Sequence, residues 1–148
     1  MSPVWNSGFL GDLRLLESVQ RRWTKQVSNL SHLSYLERLK SLNLFSIRGR
    51  LLRSDLILCY KIFHDLSPIK PLDIFELTPR EIRTRGHSFK IFHPRPATEA
   101  RKRFFSCRII RHWNSLPRFV VEAPTLAQFK TKLLQALGDD LSKPHDTT

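Results

Sequence analysis

RKRFFSCRIIRHWNSLP, residues 101–117, sets five basic side chains (Arg101, Lys102, Arg103, Arg108 and Arg111) among Phe104, Phe105, Ile109, Ile110 and Trp113. Phe105, Ile109, Trp113 and Leu116 recur three or four positions apart, which is the spacing of one helix face. The pattern predicts one amphipathic helix, capped at Thr98, that anchors into a core and turns its arginines elsewhere. Asn114, Ser115 and Leu116 before Pro117 stop it, because the residue preceding a proline is pushed out of helical dihedrals. Trp113 has two readings, a core anchor and a base-stacking platform, and helical spacing favours the core. The Arg101-Lys102-Arg103 run has three: nucleic-acid contact, a solvated helix surface, or a nuclear targeting signal.

Similar patterns flank this centre. Asp12 is placed to open a first helix in which Leu13, Leu16, Val19, Trp23 and Val27 form an apolar side, while Arg14, Arg21, Arg22 and Lys25 lie mostly elsewhere. Ser34 with Glu37 has capping-box spacing and starts a short helix ending near Asn43. Leu52, Leu56, Cys59, Phe63 and Leu66 mark a longer, central helix from about Ile47 to about His64, with Gly49 weakening its first turn by about 1 kcal/mol. Pro68, Pro71 and Pro79 make 67–80 a loop in which Leu72, Ile74, Phe75 and Leu77 form one packed turn. Phe89 and Ile91 alternate with Ser88, Lys90 and Phe92, which predicts a short extended segment. Thr125 and Gln128 repeat the capping spacing before a last helix carrying Leu126, Phe129, Leu133 and Leu137, which Gly138 is placed to end. The expected architecture is mainly α: a single domain of about five amphipathic helices, with proline-rich connections and one short extended basic segment. Its divisions are an irregular lead-in at 1–11, the helical domain at 12–138 and a polar, disordered tail at 139–148.

The 148 residues carry 25 Lys and Arg against 13 Asp and Glu, a formal net charge of +12. Between Arg80 and His112, ten basic residues are opposed only by Glu81 and Glu99. Such an imbalance favours a polyanionic partner, first of all RNA or DNA, whose phosphates draw most binding energy from Lys and Arg. Two cysteines, Cys59 and Cys107, both in apolar helical patterns, argue against a disulfide scaffold and fit a reducing compartment. No run is long and apolar enough to span a bilayer, and no secretory start is visible, so the expected location is intracellular, nucleus or cytoplasm.

Catalytic signatures are missing. There is no glycine-rich phosphate loop, no G-x-S-x-G and no H-E-x-x-H. Gly138-Asp139-Asp140 has the residue types of a polymerase metal site but follows a helix instead of turning a strand hairpin. His87, His93, Cys107 and His112 lack the paired close spacings of structural zinc sites, so no metal and no cofactor are expected.

Several stretches together resemble a known family. Pro3-Val4-Trp5, Asp12 and 16–25 (LESVQRRWTK) resemble the segment just after the polymerase core of non-LTR, LINE-type retrotransposon reverse transcriptases, with the closest likeness to the Jockey and CR1-like groups. Residues 33–44 (LSYLERLKSLNL) resemble their Y-x-x-R-L-x-x-L-x-L element, and Arg53-Ser54-Asp55-Leu56 with Tyr60-Lys61-Ile62 the helix after it. Thr84-Arg85-Gly86-His87, 104–108 (FFSCR), 113–117 (WNSLP), Ala123-Pro124-Thr125 and Phe129-Lys130 resemble the family's C-terminal tail. The likeness covers about residues 3–137. It implies the thumb and C-terminal part of such an RNA-directed DNA polymerase, without the F-A-D-D aspartates, the endonuclease or the zinc knuckle. The implied role is to help hold template RNA and primer DNA, with no catalysis of its own. Arg21, Arg22, Lys25, Arg83, Arg85, Arg101, Lys102, Arg103, Arg108 and Arg111 would contact phosphates. Two other readings stand beside this one. The chain is a helical protein-interaction module, packing its first and last helices on a polymerase core or a second copy, or it is a non-functional product of a decayed element.

Overall fold

Several helix starts rest on side-chain caps. Glu37 N–H donates to Ser34 Oγ at 3.4 Å while Ser34 N–H donates to the Glu37 carboxylate at 2.8 Å. Arg101 N–H donates to Thr98 Oγ1, and Gln128 N–H to Thr125 Oγ1, each at 3.2 Å. Each bond satisfies an amide that the first helical turn leaves without a partner. The computed structural model describes residues 9–79 and 86–144. Its helices are α1 (Leu10–Gln26), α2 (Tyr35–Ser41), α3 (Ile47–Phe63), α4 (Pro71–Ile74), α5 (Glu99–Arg103), α6 (Phe105–Arg108), α7 (Ile110–Ser115), α8 (Arg118–Val121) and α9 (Leu126–Ser142). The protein is therefore mainly helical. Contacts group its residues into two units, Met1–Arg53 with Leu137–Thr148, and Ser54–Ala136.

In the first unit, α1 is turned opposite to expectation. Leu16, Val19 and Trp23 are exposed, and Glu17 and Thr24 are buried in their place. The reason is a polar network. The Tyr35 hydroxyl donates to one Glu17 carboxylate oxygen, and Ile47 N–H, at the start of α3, donates to the other at 2.9 Å. Gln20 Nε2 donates to the Phe45 carbonyl at 2.9 Å and to the Tyr35 oxygen at 3.1 Å, and Arg38 Nε donates to Thr24 Oγ1 at 3.2 Å. A carboxylate at the positive end of α3 is favourable. Burial, reinforced by Glu17, pushes the Tyr35 phenol well above its usual pKa and keeps it a donor. Turning the apolar side inward would leave these groups without partners, at roughly 1–3 kcal/mol for each buried orphan.

The same unit corrects two readings of glycine. Gly49 does not merely weaken α3; it is where α3 meets the end of α9. A β-carbon there would lie 1.7 Å from the Leu141 carbonyl oxygen. Ser46 locks the approach, since its hydroxyl lies 3.1 Å from the Leu141 carbonyl and 3.0 Å from that of Lys143, and it accepts from Gly49 N–H at 3.0 Å. Gly138 does not end α9. The helix runs on to Ser142 and buries Leu141, so residues 139–142 are helical instead of tail.

In the second unit, Leu56, Cys59, Tyr60 and Ile62 of α3 are buried, as are Ile109, Ile110, Trp113, Leu116, Val120, Val121, Phe129 and Leu133. Tyr60 stacks on Phe129 at 4.3 Å and its hydroxyl donates to the Ala123 carbonyl at 2.6 Å. Trp113 stacks on Phe63 at 5.3 Å, which makes it the core anchor its spacing suggested. Leu66, Leu72 and Leu77 were expected inside and are exposed; of that loop, Phe75 is the residue buried. Pro71 starts α4 there, where its fixed φ suits a first helical position.

The extended segment pairs at one point. Leu77 and Ile91 form an antiparallel bridge, with Phe92 N–H donating to the Glu76 carbonyl at 2.7 Å and Thr78 N–H to that of Lys90 at 3.3 Å. Among the described residues this is the only β pairing.

Candidate nucleic-acid interface

The basic stretch 101–117 is not one helix. Phe104 adopts an extended conformation (φ −62°, ψ 144°) that separates α5 from α6 and α7. Arg108 holds this break. Its Nη1 donates to the Arg103 carbonyl at the end of α5 at 2.9 Å, and its other guanidinium nitrogens meet the two Asp55 carboxylate oxygens at 2.8 and 3.0 Å. Asp55 is buried and the Arg108 side chain is 17% exposed. A two-pronged pair of this kind is geometrically specific, and removing one partner leaves the other charge buried. Arg108 is therefore not available to a phosphate as expected; it fixes α5 against α3.

The motif 113–117 fixes the extended segment in turn. Trp113 Nε1 donates to the Phe89 carbonyl at 2.8 Å. Asn114 acts as a substitute strand, accepting from Ile91 N–H at 2.9 Å and donating to the Ile91 carbonyl at 2.7 Å. His87 is buried between them. Its Nε2 lies 3.0 Å from the Trp113 carbonyl and its Nδ1 accepts from Phe89 N–H at 3.2 Å, a pairing that the neutral Nε2–H tautomer satisfies. Burial holds its pKa below the ordinary histidine value. Gly86 enters the segment at φ 135°, a conformation that side-chain-bearing residues avoid.

Of the basic residues in 101–111, Arg101, Lys102 and Arg111 are exposed and Arg103 is half-buried. Lys102 pairs with Glu99 one turn away, an exposed contact worth little. A cleft of about 400 Å³ opens beside them. Lys102 and Arg111 give it a cationic wall, and Pro94, Pro96 and Ile110 an apolar one, with His93, Cys107 and the Asp55-paired Arg108 completing the lining. An anion that also carries a flat apolar part matches that division, since phosphate answers the cations and a ring can lie on the prolines.

In the first unit, Arg21, Arg22 and Lys25 are exposed on α1. Arg21 lies over the Tyr35 ring, 4.9 Å from its centroid, a cation–π contact. Arg83 and Arg85 lie outside the described residues. The expected contacts thus resolve into an α1 set, a set at 101–111 and the structural Arg108. Spacing on one helix could not reveal the cleft's other side, which His93, Pro94 and Pro96 supply from the chain before α5. Asp55 and Asn114 were also missed as organisers, for their partners are 53 and 23 residues away.

Among the described residues, no group of three His, Cys, Asp or Glu side chains is placed to hold a metal ion, and no helix is long and apolar enough to cross a membrane. No protein-family model, curated protein or solved structure matches the chain.

Proposed function

We propose that the chain binds the backbone of RNA or DNA without chemistry of its own, as an accessory piece that helps hold template RNA and primer DNA for a LINE-type RNA-directed DNA polymerase. The observation that carries this reading is the cationic cleft beside α5–α7, where Lys102 and Arg111 face an apolar wall and Arg101 lies next in the chain. The net charge of +12 and the exposed Arg21, Arg22 and Lys25 support it, as does the family resemblance of 3–137. Phosphate contacts of this kind position a strand and carry no sequence information, so binding is expected to be largely sequence-independent. An intracellular location, nucleus or cytoplasm, goes with the reading.

The test is the affinity of the full chain for duplex DNA and for an RNA–DNA hybrid between about 50 and 200 mM salt. Each lost phosphate contact lowers the slope of log affinity against log salt by about 0.9, so replacing Arg101, Lys102 and Arg111 together with alanine should reduce it by roughly 2–3. A flat salt response of the unaltered chain, or an unchanged slope in the triple variant, would refute the reading.

A further inference from the structure

α1 divides into three longitudinal sectors. Leu13, Glu17, Gln20 and Thr24 lie on one side, where the network to Tyr35, Arg38 and Ile47 holds the helix. Arg14, Arg21, Arg22 and Lys25 make a second, exposed sector. Leu15, Leu16, Val19 and Trp23 make the third, and they are 68, 52, 66 and 56% exposed. These four fall within an arc of about 100° at 3.6 residues per turn, the width of a helix face made for burial. Scattered apolar residues at a surface need no explanation, but four large ones in a stripe along one rigid helix mark a contact surface.

We propose that this stripe docks into an apolar groove with an acidic rim on another protein. Charge selects the occupant. Four cations flank the stripe, and the one acidic side chain α1 exposes is Asp12, because Glu17 is buried. A second copy would set two such cationic flanks side by side on chains of net charge +12, which like-charge repulsion opposes. A lipid surface suits a helix that sinks a wide face into the interface. Here one side of α1 is already held by α2, which leaves a ridge of the kind that enters a groove. The stripe shares no residue with the cleft beside α5–α7, and the proposal does not depend on nucleic-acid binding.

Calcium-loaded calmodulin, which takes basic amphipathic helices into apolar grooves, is the probe. The full chain should bind it one to one, and lose the complex when calcium is chelated. Replacing Val19 and Trp23 with serine changes no charge and touches no residue of the buried network. It should weaken binding at least about ten-fold with the helical circular dichroism intact, and Val19→Leu should retain it. Absence of binding, or equal binding by the serine variant, overturns the proposal. So does either alternative occupant: capture by anionic phosphatidylserine vesicles that the serine variant loses while calmodulin is ignored, or a dimer in sedimentation that the same variant dissociates.

Discussion

Alanine at Gly49 and alanine at Gly138 are the same chemical change in two helices, and they should move stability in opposite directions. In a helix interior, alanine is favoured over glycine by up to about 1 kcal/mol. At Gly138 nothing lies within 4 Å of the added methyl, so that gain should appear nearly whole. At Gly49 the new carbon would sit 1.7 Å from the Leu141 oxygen, 2.5 Å from its carbonyl carbon and 2.8 Å from its Cα. All three are backbone atoms, so no side-chain rotation relieves the clash. α3 and the end of α9 must part by roughly 1.5 Å, which a close-packed contact does not absorb. If they part rigidly, overpacking costs about 1–3 kcal/mol and the Ser46 bonds to the Leu141 and Lys143 carbonyls are strained as well. If the last turn of α9 detaches instead, the buried Leu141 is released, at about 1.5–3 kcal/mol. Either route outweighs the propensity gain and leaves a net loss of about 2 kcal/mol. For a chain of this size that is a fall in Tm of roughly 4–8 °C, against a rise of about 1–4 °C for Gly138→Ala. Thermal unfolding followed by helical circular dichroism reads both. Should Gly49→Ala equal or exceed the unaltered chain, the close approach of α3 and α9 is wrong.

Three further outcomes are expected. Asp55→Ala strands Arg108 in a poorly solvated place and should lower stability in urea by about 3 kcal/mol, while a double change of Asp55 and Arg108 to leucine recovers most of it; an unaffected Asp55→Ala would show that the pair holds nothing. The His87 pKa is depressed in the folded state by burial, so its contribution is fully present above the ordinary value of 6.5 and is lost as pH falls through the lower folded value. Unfolding free energy of the unaltered chain should therefore drop on acidification below pH 6.5 more than that of His87→Gln, and parallel pH profiles would contradict the assignment. Cys59 is fully buried and its thiol is pushed well above its usual pKa by burial first and Asp55 second, whereas Cys107 is partly accessible. A thiol reagent should modify Cys107 alone in the native chain and both cysteines in denaturant; rapid reaction of two native thiols would mean the α3 core is open.

Helix capping was readable at three starts because it is local; Asp12 does not open α1, which begins at Leu10 after Phe9 and carries Asp12 in its first turn. Ser34, Thr98 and Thr125 each meet an amide three residues away, and no other part of the chain can change that. The apolar stripe of α9 and the core role of Trp113 were also legible, since large apolar residues repeating at helical spacing leave few alternatives. The same rule failed at α1. Its apolar stripe is as clear as any in the chain, but periodicity reports that a face exists and not which side the fold covers. Half of the candidate interface was likewise legible: which residues are basic, and that they crowd between Arg80 and His112.

What remained needed three dimensions. Arg108 and Arg111 are indistinguishable as letters three apart on a basic helix. Asp55, 53 residues earlier, turns the first into a structural tie, while the second stays exposed in the lining of the cleft. Gly49 looked like a weak point until the carbonyl of Leu141 was found against it. The sequence by itself determined the mainly helical class, the capped starts of α2, α5 and α9 and the positive charge, because these follow from bonds and spacings within one turn and from composition. Only the tertiary structure decided which cations stay at the surface, which face of α1 is covered and where the basic stretch breaks. Each of those outcomes is a competition among partners distant in the chain, settled by which buried polar groups can be satisfied together.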